Sequence, residues 1–421
     1  MVPGKMAFDM YDIIVVGGGA AGMLASGVAA EKGARVLLIE KNDRLGKKLL
    51  ITGKGRCNVT NDCAVDAVLA GIPTGSRFLH SALNGFSPRS ISSLLESLGV
   101  PLKVERGGRV FPESDSASDI VGALIRYMDM TGVVLQRGRV RRINKDNGRV
   151  CGVETTDGIN KCRAVILATG GMSYPGTGST GDGYDIAAAL GHIVTPLRGS
   201  LVPLAAEQEL CSRMQGLTLK NVRLSVFDGR KKPIFQDFGE LLFTHYGISG
   251  PLTLSASAHM RDFDKNKYHV IIDLKPALDE KKLDLRILRD FEKYSNRDYS
   301  NALGDLLSKM MIPVIIERSG IPPGKKVHSI SRTERLGLIR LLKSFRLDID
   351  GPRPIEEAII TSGGVSTTEI SPKTMESKIV SGLFFAGELI DADAYTGGFN
   401  LQIAWSTAFA AARGAAARIS S

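Results

Sequence analysis

Glycines at a fixed spacing connect two apolar segments near the start of the chain. Residues 17–22 read GGGAAG and fit the pattern GxGxxG. In this pattern Gly17 permits a tight turn, Gly19 lets the backbone approach a pyrophosphate, and Gly22 lets a strand and a helix pack closely. Glu40, 18 residues after Gly22, stands where a carboxylate accepts hydrogen bonds from an adenosine ribose and disfavours the 2′-phosphate of NADP. The spacing therefore predicts a dinucleotide-binding site.

The elements that must position these residues form a βαβ unit. An apolar strand is predicted at residues 11–16, a helix at 20–32 and a second strand at 34–39. The helix begins directly after Gly19, so its free N–H groups and the positive end of its dipole meet the phosphates. A second GxGxxG match at residues 176–181 is separated from the preceding strand, and we do not expect it to bind a nucleotide.

A second glycine-rich segment precedes a predicted helix in the last part of the chain. Gly397 and Gly398 stand before a helix predicted at residues 399–413. A helix N-terminus stabilises negative charge, which a reduced isoalloxazine carries at N1 and C2=O. Glu388 ends an apolar segment and is expected to bind the ribityl hydroxyls. Because NAD enzymes need no such half-site, the sequence predicts FAD rather than NAD, wrapped by the Gly- and Lys-rich residues 46–61.

Composition excludes several other classes of protein. The chain has 421 residues, of which 43% are hydrophobic and 23% charged, and this indicates a globular protein of two or three domains. Its five cysteines form no CxxC pair, so we expect reduced thiols and no metal site. No segment has the pattern of a membrane span or a leader peptide. We therefore expect a cytoplasmic protein.

Changes of pattern along the chain predict an α/β fold with an inserted region. Residues 1–194 and 351–421 share short apolar strands that run into glycine-rich loops. Between them, residues 195–277 are β-rich and residues 278–350 are charged and helical. The economical interpretation is a discontinuous nucleotide-binding domain that is interrupted by a β-plus-helical domain at 195–350.

Five longer motifs carry a specific resemblance to a known family. They are KKLLITGKGRCNVTN (47–61), GRVFPES (108–114), ATGGMSYPGTGSTGDGY (168–184), GELLFTHYGISGP (239–251) and TMESK…GLFFAGELIDADAYTGGFNLQ (374–402). On these motifs the chain resembles the bacterial NAD(P)/FAD-dependent oxidoreductases long labelled "predicted flavoprotein", which include aminoacetone oxidase and a flavoprotein of bile-acid dehydroxylation. The resemblance implies a glutathione-reductase-type FAD-binding Rossmann domain, interrupted by an inserted β-barrel-like and helical region. Phe399 departs from the family, which more often has Tyr there.

The resemblance also implies contacts along the cofactor. The backbone at Val140 would meet the adenine edge, and Ala168, Thr169 and Gly170 would line the run from adenosine to pyrophosphate. Arg56 and Asn58 would lie near the phosphate–ribityl stretch, and Gly363 near the flavin ring. The complete set of predicted cofactor-binding residues is Gly17, Gly19, Ala20, Ala21, Gly22, Glu40, Lys41, Lys48, Arg56, Asn58, Val140, Ala168, Thr169, Gly170, Gly363, Gly387, Glu388, Gly398, Phe399, Asn400 and Leu401.

Candidates for proton transfer are fewer. His245 lies in FTHYGISGP, the most glycine-rich polar stretch of the insert, and is predicted to exchange a proton beside the flavin. Tyr174 in GMSYPG is the other candidate catalytic residue. For both, a purely structural role remains an open alternative. Cys57 has no CxxxxC partner, since Cys63 lies six positions on, so we do not expect a thiol relay.

The predicted function is FAD-dependent oxidoreduction of a small organic substrate. Two reactions stay open: oxidation of an amine with O₂ reoxidising the flavin, and reduction of a C=C bond with NAD(P)H as a transient electron donor. We expect no membrane partner and do not favour nucleic acid. The alternative is an RNA-binding or RNA-modifying flavoprotein, because +6 of the net charge of +10 falls within residues 278–346.

Overall fold

The computed structural model describes residues 10–420, which fall into two compact units. The discontinuous unit runs up to Ser200 and resumes at Ile355, and the inserted unit comprises Leu201–Pro354. None of the helices between residues 10 and 420 combines the length and hydropathy that crossing a membrane requires.

The discontinuous unit contains a seven-stranded sheet with the order β6-β2-β1-β9-β8-β7 and with β18 added on β9. The unit also contains a three-stranded sheet with the order β3-β5-β4 and a two-stranded sheet formed by β10 and β17. Its strands are β1 (Tyr11–Val16), β2 (Val36–Glu40), β3 (Thr60–Asn61), β4 (Leu102–Glu105), β5 (Arg109–Pro112), β6 (Val134–Arg137), β7 (Val140–Asp146), β8 (Arg149–Thr155), β9 (Gly158–Leu167), β10 (Arg198–Ser200), β17 (Ile360–Ser362) and β18 (Leu383–Phe385). Its helices are α1 (Ala20–Glu31), α2 (Lys47–Ile51), α3 (Val65–Ala70), α4 (Ser76–Gly85), α5 (Pro88–Ser97), α6 (Ala117–Thr131), α7 (Asp182–Ala189) and α13 (Phe399–Ser420).

The core of this unit explains why its central strands are apolar throughout. β1 pairs in parallel with both β2 and β9, and parallel strands covered on both faces need hydrophobic residues at every position. α1 and α13 are rich in Ala and Gly, and they pack against each other. A Cβ on Gly27 of α1 would lie 2.4 Å from the ring of Tyr127 on α6. Small residues on α1 therefore permit the neighbouring helices to pack closely against it.

The β7–β8 turn follows local rules. Asn147 and Gly148 have φ angles of 48° and 75°, the left-handed pair that a two-residue type I′ hairpin turn requires. The sequence Asp146–Gly148 alone predicts this turn.

The inserted unit is a closed barrel with helices. The strand order is β11-β14-β13-β12-β15-β16, and a separate hydrophobic core joins the barrel to the helices. The strands are β11 (Leu204–Ala206), β12 (Thr218–Phe227), β13 (Phe235–Thr244), β14 (Gly247–Ser249), β15 (Tyr268–Asp273) and β16 (Phe345–Pro352). The helices are α8 (Gln208–Ser212), α9 (Pro251–Ser257), α10 (Glu280–Lys293), α11 (Ile312–Ser319) and α12 (Arg332–Lys343).

Two local assignments differ from the sequence prediction. β10, expected within the insert, pairs with β17 of the discontinuous unit, so the units divide at 200/201 and 354/355 rather than at 194/195 and 350/351. The prediction of a helix at residues 345–350 is wrong. These residues belong to strand β16, which closes the barrel between β11 and β15. Alternate residues of this strand face the core, and that period of two is a strand pattern.

A buried histidine connects two segments of the discontinuous unit. His192 is 4% exposed, and its Nδ1 lies 3.2 Å from a Glu369 carboxylate oxygen. Its Nε2 lies 2.9 Å from the Ser377 hydroxyl. That hydroxyl oxygen accepts the N–H groups of Ile379 and Val380, so its proton points to the imidazole. Burial lowers the pKa of His192, and Glu369 opposes this shift only in part. The neutral ring is therefore the form that the fold stabilises.

We predict that acidification destabilises the protein through His192. Its pKa is lowered in the folded state, so above about pH 6.5 its contribution to the free energy of unfolding is complete, and it is lost as the pH falls below that value. In His192→Gln the decline in the free energy of unfolding between about pH 7 and pH 5 should be shallower in urea titrations. The exposed His80 provides a control: His80→Gln should keep the wild-type decline, and equal slopes for all three proteins would refute the assignment.

Candidate functional site

The predicted cofactor residues meet at one edge of the seven-stranded sheet. β1, β9 and β18 are parallel neighbours, and Gly17, Ala168 and Ala386 follow their carboxyl ends. The Ala168 N–H donates to Val16, and the Ala386 N–H donates to Leu167. Ligands of open α/β sheets bind beyond this edge. The last part of the chain therefore supplies one of the loops that surround the site.

Glu40 joins the ends of the first two strands. One carboxylate oxygen accepts the Gly18 N–H at 2.6 Å, and the other accepts the Asn42 N–H at 2.7 Å. Glu40 is only 8% exposed. Because a carboxylate has about four acceptor positions, these two bonds leave capacity for ribose hydroxyls. The same side chain thus holds the glycine turn and is placed for the predicted ribose contact.

The glycines of the first motif have different surroundings. A Cβ on Gly22 would lie 1.8 Å from the Gly17 carbonyl oxygen, and a Cβ on Gly17 would lie 2.6 Å from that of Ala168. These two glycines are required by packing within the protein. Gly19 precedes α1 as its N-cap, yet a Cβ there would meet no described atom within 4 Å. This open space at a helix N-terminus matches the requirements of a pyrophosphate.

Thr169 provides a second observation at the same edge. Its hydroxyl is buried and has no hydrogen-bond partner among residues 10–420. Leaving such a group unsatisfied costs about 1–3 kcal/mol, which a polar ligand beside it would remove. Together with the open space at Gly19, this residue fits the predicted FAD. Gly19 and Ala20 would then hold the pyrophosphate, Glu40 the adenosine ribose and Gly398 the isoalloxazine edge.

The loop of residues 46–61 is attached to the start of α13. A Cβ on Gly398 would lie 2.3 Å from the Thr60 carbonyl oxygen, so only glycine fits there. With its amide nitrogen donating to the Thr60 carbonyl, Asn58 accepts the Gly398 N–H at 3.0 Å through its amide oxygen. Asn400 holds the preceding turn, since its amide both accepts from and donates to the backbone of Ala394. These contacts fix the loop beside the N-terminus of the helix.

Lys48 and Glu388 form a half-buried ion pair. The Lys48 ammonium donates to one Glu388 oxygen at 2.6 Å and to the Ser173 hydroxyl at 2.7 Å. The other Glu388 oxygen accepts the Thr361 N–H at 2.8 Å and the Ser173 hydroxyl at 3.1 Å. Ser173 and Thr361 were not predicted from the sequence, where only the nearby glycines draw attention to them. The predicted ribityl contact of Glu388 would have to use its remaining acceptor capacity.

Two further predicted cations are paired within the protein. Lys41 donates to Asp182 at 2.9 Å and to Thr180 at 2.6 Å. Arg56 pairs with Glu105 and Asp115, and its guanidinium stands 4.2 Å from the centre of the Phe111 ring. Their contacts with a cofactor remain predictions.

Val140 lies beside a groove at the edge of the sheet. It begins β7, the last strand in the order, and it is buried. The groove has a volume of about 920 Å³ and runs between β7 and α7, with Arg139 and Asp182 in its wall. An edge strand has backbone groups that no neighbouring strand uses. The contact between this backbone and an adenine edge remains a prediction.

The remaining predicted positions lie in the loops around this edge. A Cβ on Gly387 would lie 3.0 Å from that of Ala21, and a Cβ on Gly363 would lie 2.3 Å from the Pro196 carbonyl oxygen. Gly170, which follows β9, has a positive φ of 75°. Phe399 and Leu401, in the first turn of α13, are half-buried.

The two candidate catalytic residues belong to different units. Tyr174 lies in the discontinuous unit, has a positive φ of 54° and is 37% exposed. His245 lies in the turn between β13 and β14 of the inserted unit, where its exposed ring packs edge-on against Tyr246. Both side chains are exposed, and their roles remain predictions.

Cys57 is not positioned for thiol chemistry. It is fully buried, and burial raises the pKa of its thiol to about 12. The thiolate that would act as a nucleophile is therefore scarce at neutral pH. All five cysteines are free thiols.

Comparison with known proteins covers almost the whole chain. The family described as "HI0933-like protein Rossmann domain" matches residues 11–414. The "Ribosomal RNA dihydrouridine synthase" of Escherichia coli (strain K12) is 32% identical over 96% of this chain and 98% of its own length. The "3-dehydro-bile acid delta(4,6)-reductase" of Clostridium scindens is 30% identical over 97% of this chain and 100% of its own.

A solved structure supports the fold. The superposition on the 3-ketosteroid delta1-dehydrogenase of Sterolibacterium denitrificans covers 97% of this chain and 100% of that protein's chain. Its TM-score is 0.53, and the sequence identity is 14%. With the family match, it confirms the FAD-binding Rossmann fold, and the structure of this chain also contains the inserted barrel and helices. The predicted family, the FAD cofactor and the oxidoreductase class are confirmed.

We predict that Gly19→Val abolishes flavin retention without unfolding the protein. A Cβ at this position meets no described atom within 4 Å, whereas the valine side chain occupies the space predicted for the pyrophosphate. Purified Gly19→Val should keep the thermal stability of the apoprotein and lose its FAD absorbance. Gly22→Val is the matched control: its side chain collides with the Gly17 carbonyl and should lower the melting temperature. A Gly19→Val protein that retains FAD would show that the phosphates bind elsewhere.

We predict that Cys57→Ser retains both FAD and most of its turnover. The thiol is buried and protonated, so it has no part in electron transfer, and serine fits the same volume. The measurements are the flavin content and the rate of flavin reoxidation by substrate. Loss of turnover with FAD still bound would revive a thiol mechanism.

Proposed function

Because the chain belongs to the HI0933-like protein Rossmann domain family, we propose that it is an FAD-dependent reductase of a C=C bond conjugated to a carbonyl group, acting on a uracil base of ribosomal RNA. The main support for this reaction is that the names of two relatives, each aligned over nearly its whole length, both describe the reduction of such a bond. Formation of dihydrouridine saturates the C5=C6 bond of uracil, and a delta(4,6)-reductase saturates C=C bonds near an oxo group. Two different substrates thus undergo the same addition of hydride and proton.

The chain's own residues suit direct transfer. The buried, protonated Cys57 offers no relay, so electrons would pass between cofactor and substrate without a protein redox group. FAD, when bound and reduced by a nicotinamide donor, supplies the hydride. Gly19 with α1 would bind the pyrophosphate, and the N-terminus of α13 at Gly398 would stabilise negative charge. A proton donor, Tyr174 Oη or a His245 ring nitrogen, would protonate the second carbon.

Charge supports an RNA substrate over a small one. The chain carries a net charge of +10, and a basic balance favours a polyanionic partner. The second candidate substrate is a small dienone, which the bile-acid reductase relative supports. Oxidation of an amine, predicted as an alternative reaction, has no counterpart in the names of the relatives described above.

The test uses the holoenzyme with NADH or NADPH and an unmodified ribosomal RNA transcript. We expect dihydrouridine in the digested RNA by mass spectrometry, and none with Gly19→Val. A steroid dienone and a panel of amines form parallel arms. Reduction of the dienone alone would reject RNA while keeping the reaction, and flavin reduction by an amine alone would reject both.

We predict that one of the two proton donors is needed for turnover but not for cofactor binding. Replacing the true donor, in His245→Ala or Tyr174→Phe, should leave FAD bound and lower the rate of substrate reduction by roughly 10²–10⁴-fold. Reduction of the flavin by the nicotinamide should be unchanged. Unaltered rates in both variants would place the donor elsewhere.

A further inference from the structure

The helical part of the inserted unit carries positive charge that its own acids do not neutralise. Residues 278–346 contain fifteen Lys or Arg and nine Asp or Glu. Seven of the nine acids are already engaged in ion pairs. These pairs are Asp279–Lys282, Asp284–Arg335, Asp290–Arg286, Asp298–Lys326, Asp305–Lys293, Glu317–Arg213 and Glu334–Lys325.

Six basic side chains of the same segment form no ion pair with any described residue. All six are exposed, and of the acids only Glu280 and Glu292 are likewise left over. Ion pairs therefore engage most of the acidic side chains of this segment, and the exposed side chains without an ion pair are mainly basic. The six are Lys281, Arg289, Arg297, Lys309, Arg332 and Arg340.

Four of these cations lie on two helices that pack against each other. Lys281 and Arg289 are on α10, and Arg332 and Arg340 are on α12. Each pair is eight residues apart, which corresponds to about 12 Å along a helix axis and to one broad side of the helix. The Arg335–Asp284 ion pair, at 2.6 Å, connects the helices.

The apolar sides of both helices face the core. On α10 the buried residues include Leu283 and Ile287, and on α12 they include Leu338 and Leu342. All four belong to the same hydrophobic cluster. The four cations are exposed residues of this packed pair of helices.

We propose that Lys281, Arg289, Arg332 and Arg340, the α10–α12 cationic surface, bind the phosphate backbone of RNA. The inference rests on the proposed function and locates the contact that would hold the RNA. Unpaired, exposed Lys and Arg are the groups that neutralise phosphates and release counterions. A span of about 12 Å covers several phosphate charges of a nucleic-acid helix. Such contacts orient the RNA without reading its sequence.

Two exposed leucines lie among these cations. Leu285 and Leu288 on α10 are 63% and 39% exposed. Apolar side chains of this kind are used at protein interfaces, so a protein partner is the competing explanation. The excess of cations favours RNA, and a leucine variant tests whether the apolar side chains rather than the cations make the contact.

The experiment measures binding of the holoenzyme to an unmodified ribosomal RNA transcript at several salt concentrations. The test variant carries Lys281→Glu, Arg289→Glu, Arg332→Glu and Arg340→Glu. Its matched control carries Arg89→Glu, Arg106→Glu, Lys161→Glu and Lys373→Glu, which are exposed positions of the discontinuous unit and change the net charge equally. Each phosphate contact contributes about 0.9 to the slope of log K against log salt for a B-form duplex and about 0.7 for a single strand. We expect a slope shallower by about three to four for the test variant and little change for the control.

The outcomes are distinct from those of the proposed function. Flavin content and nicotinamide-driven flavin reduction should equal wild type in both variants, which excludes misfolding. Selective loss of RNA binding supports the surface even if no dihydrouridine forms. Equal binding by test variant and control, or no salt-dependent binding by wild type, overturns it. If RNA binding instead fails only in Leu285→Ser with Leu288→Ser, the cations are not the contact and the proposal is wrong.

Discussion

The site depends on a close approach of backbone to backbone at the carboxyl ends of β1 and β9. Gly17 lies against the Ala168 carbonyl, and Gly22 lies against the Gly17 carbonyl. A Cβ on Gly17 would be 2.6 Å from the first carbonyl oxygen, and a Cβ on Gly22 would be 1.8 Å from the second. This contact sets where α1 begins, and thereby where its free N–H groups point. A Cβ on Gly19 would meet no described atom within 4 Å, so this position leaves open space for a phosphate. Any side chain at Gly17 or Gly22 would move the helix and the anion site together.

The same edge explains why the nucleotide-binding unit is discontinuous. β18 adds to β9 in parallel register, so the segment that ends in Glu388 enters the site from the far end of the chain. The Lys48–Glu388 pair joins residues 340 positions apart, and Gly398 packs on Thr60. An FAD-binding site of this kind is complete only when both ends of the chain have met. Insertion of residues 201–354 between them is tolerated because that unit has its own hydrophobic core.

The two units use their charged side chains differently. Within the predicted site the cations Lys41, Lys48 and Arg56 are paired with carboxylates of the protein, so the positive ends of α1 and α13 gain importance for an anionic cofactor. In residues 278–346 of the inserted unit, ion pairs engage seven of the nine acids and leave six basic side chains exposed. The proposed division assigns the flavin to the first unit and the capture of RNA to the second.

The sequence by itself determined the features that depend on neighbouring residues. The βαβ glycine spacing, Glu40 and the Asn147–Gly148 turn follow from short-range patterns, because turns and helix ends are governed by local backbone preferences. The FAD cofactor is predicted from two such patterns, one near each end of the chain. Only the tertiary structure decided that residues 345–350 form a barrel strand, that β10 pairs with β17, and that Ser173 and Thr361 hold Glu388. It also decided which of the fifteen basic residues remain unpaired. These outcomes depend on contacts between segments far apart in the chain, and the free energy of such contacts exists only after the chain has folded.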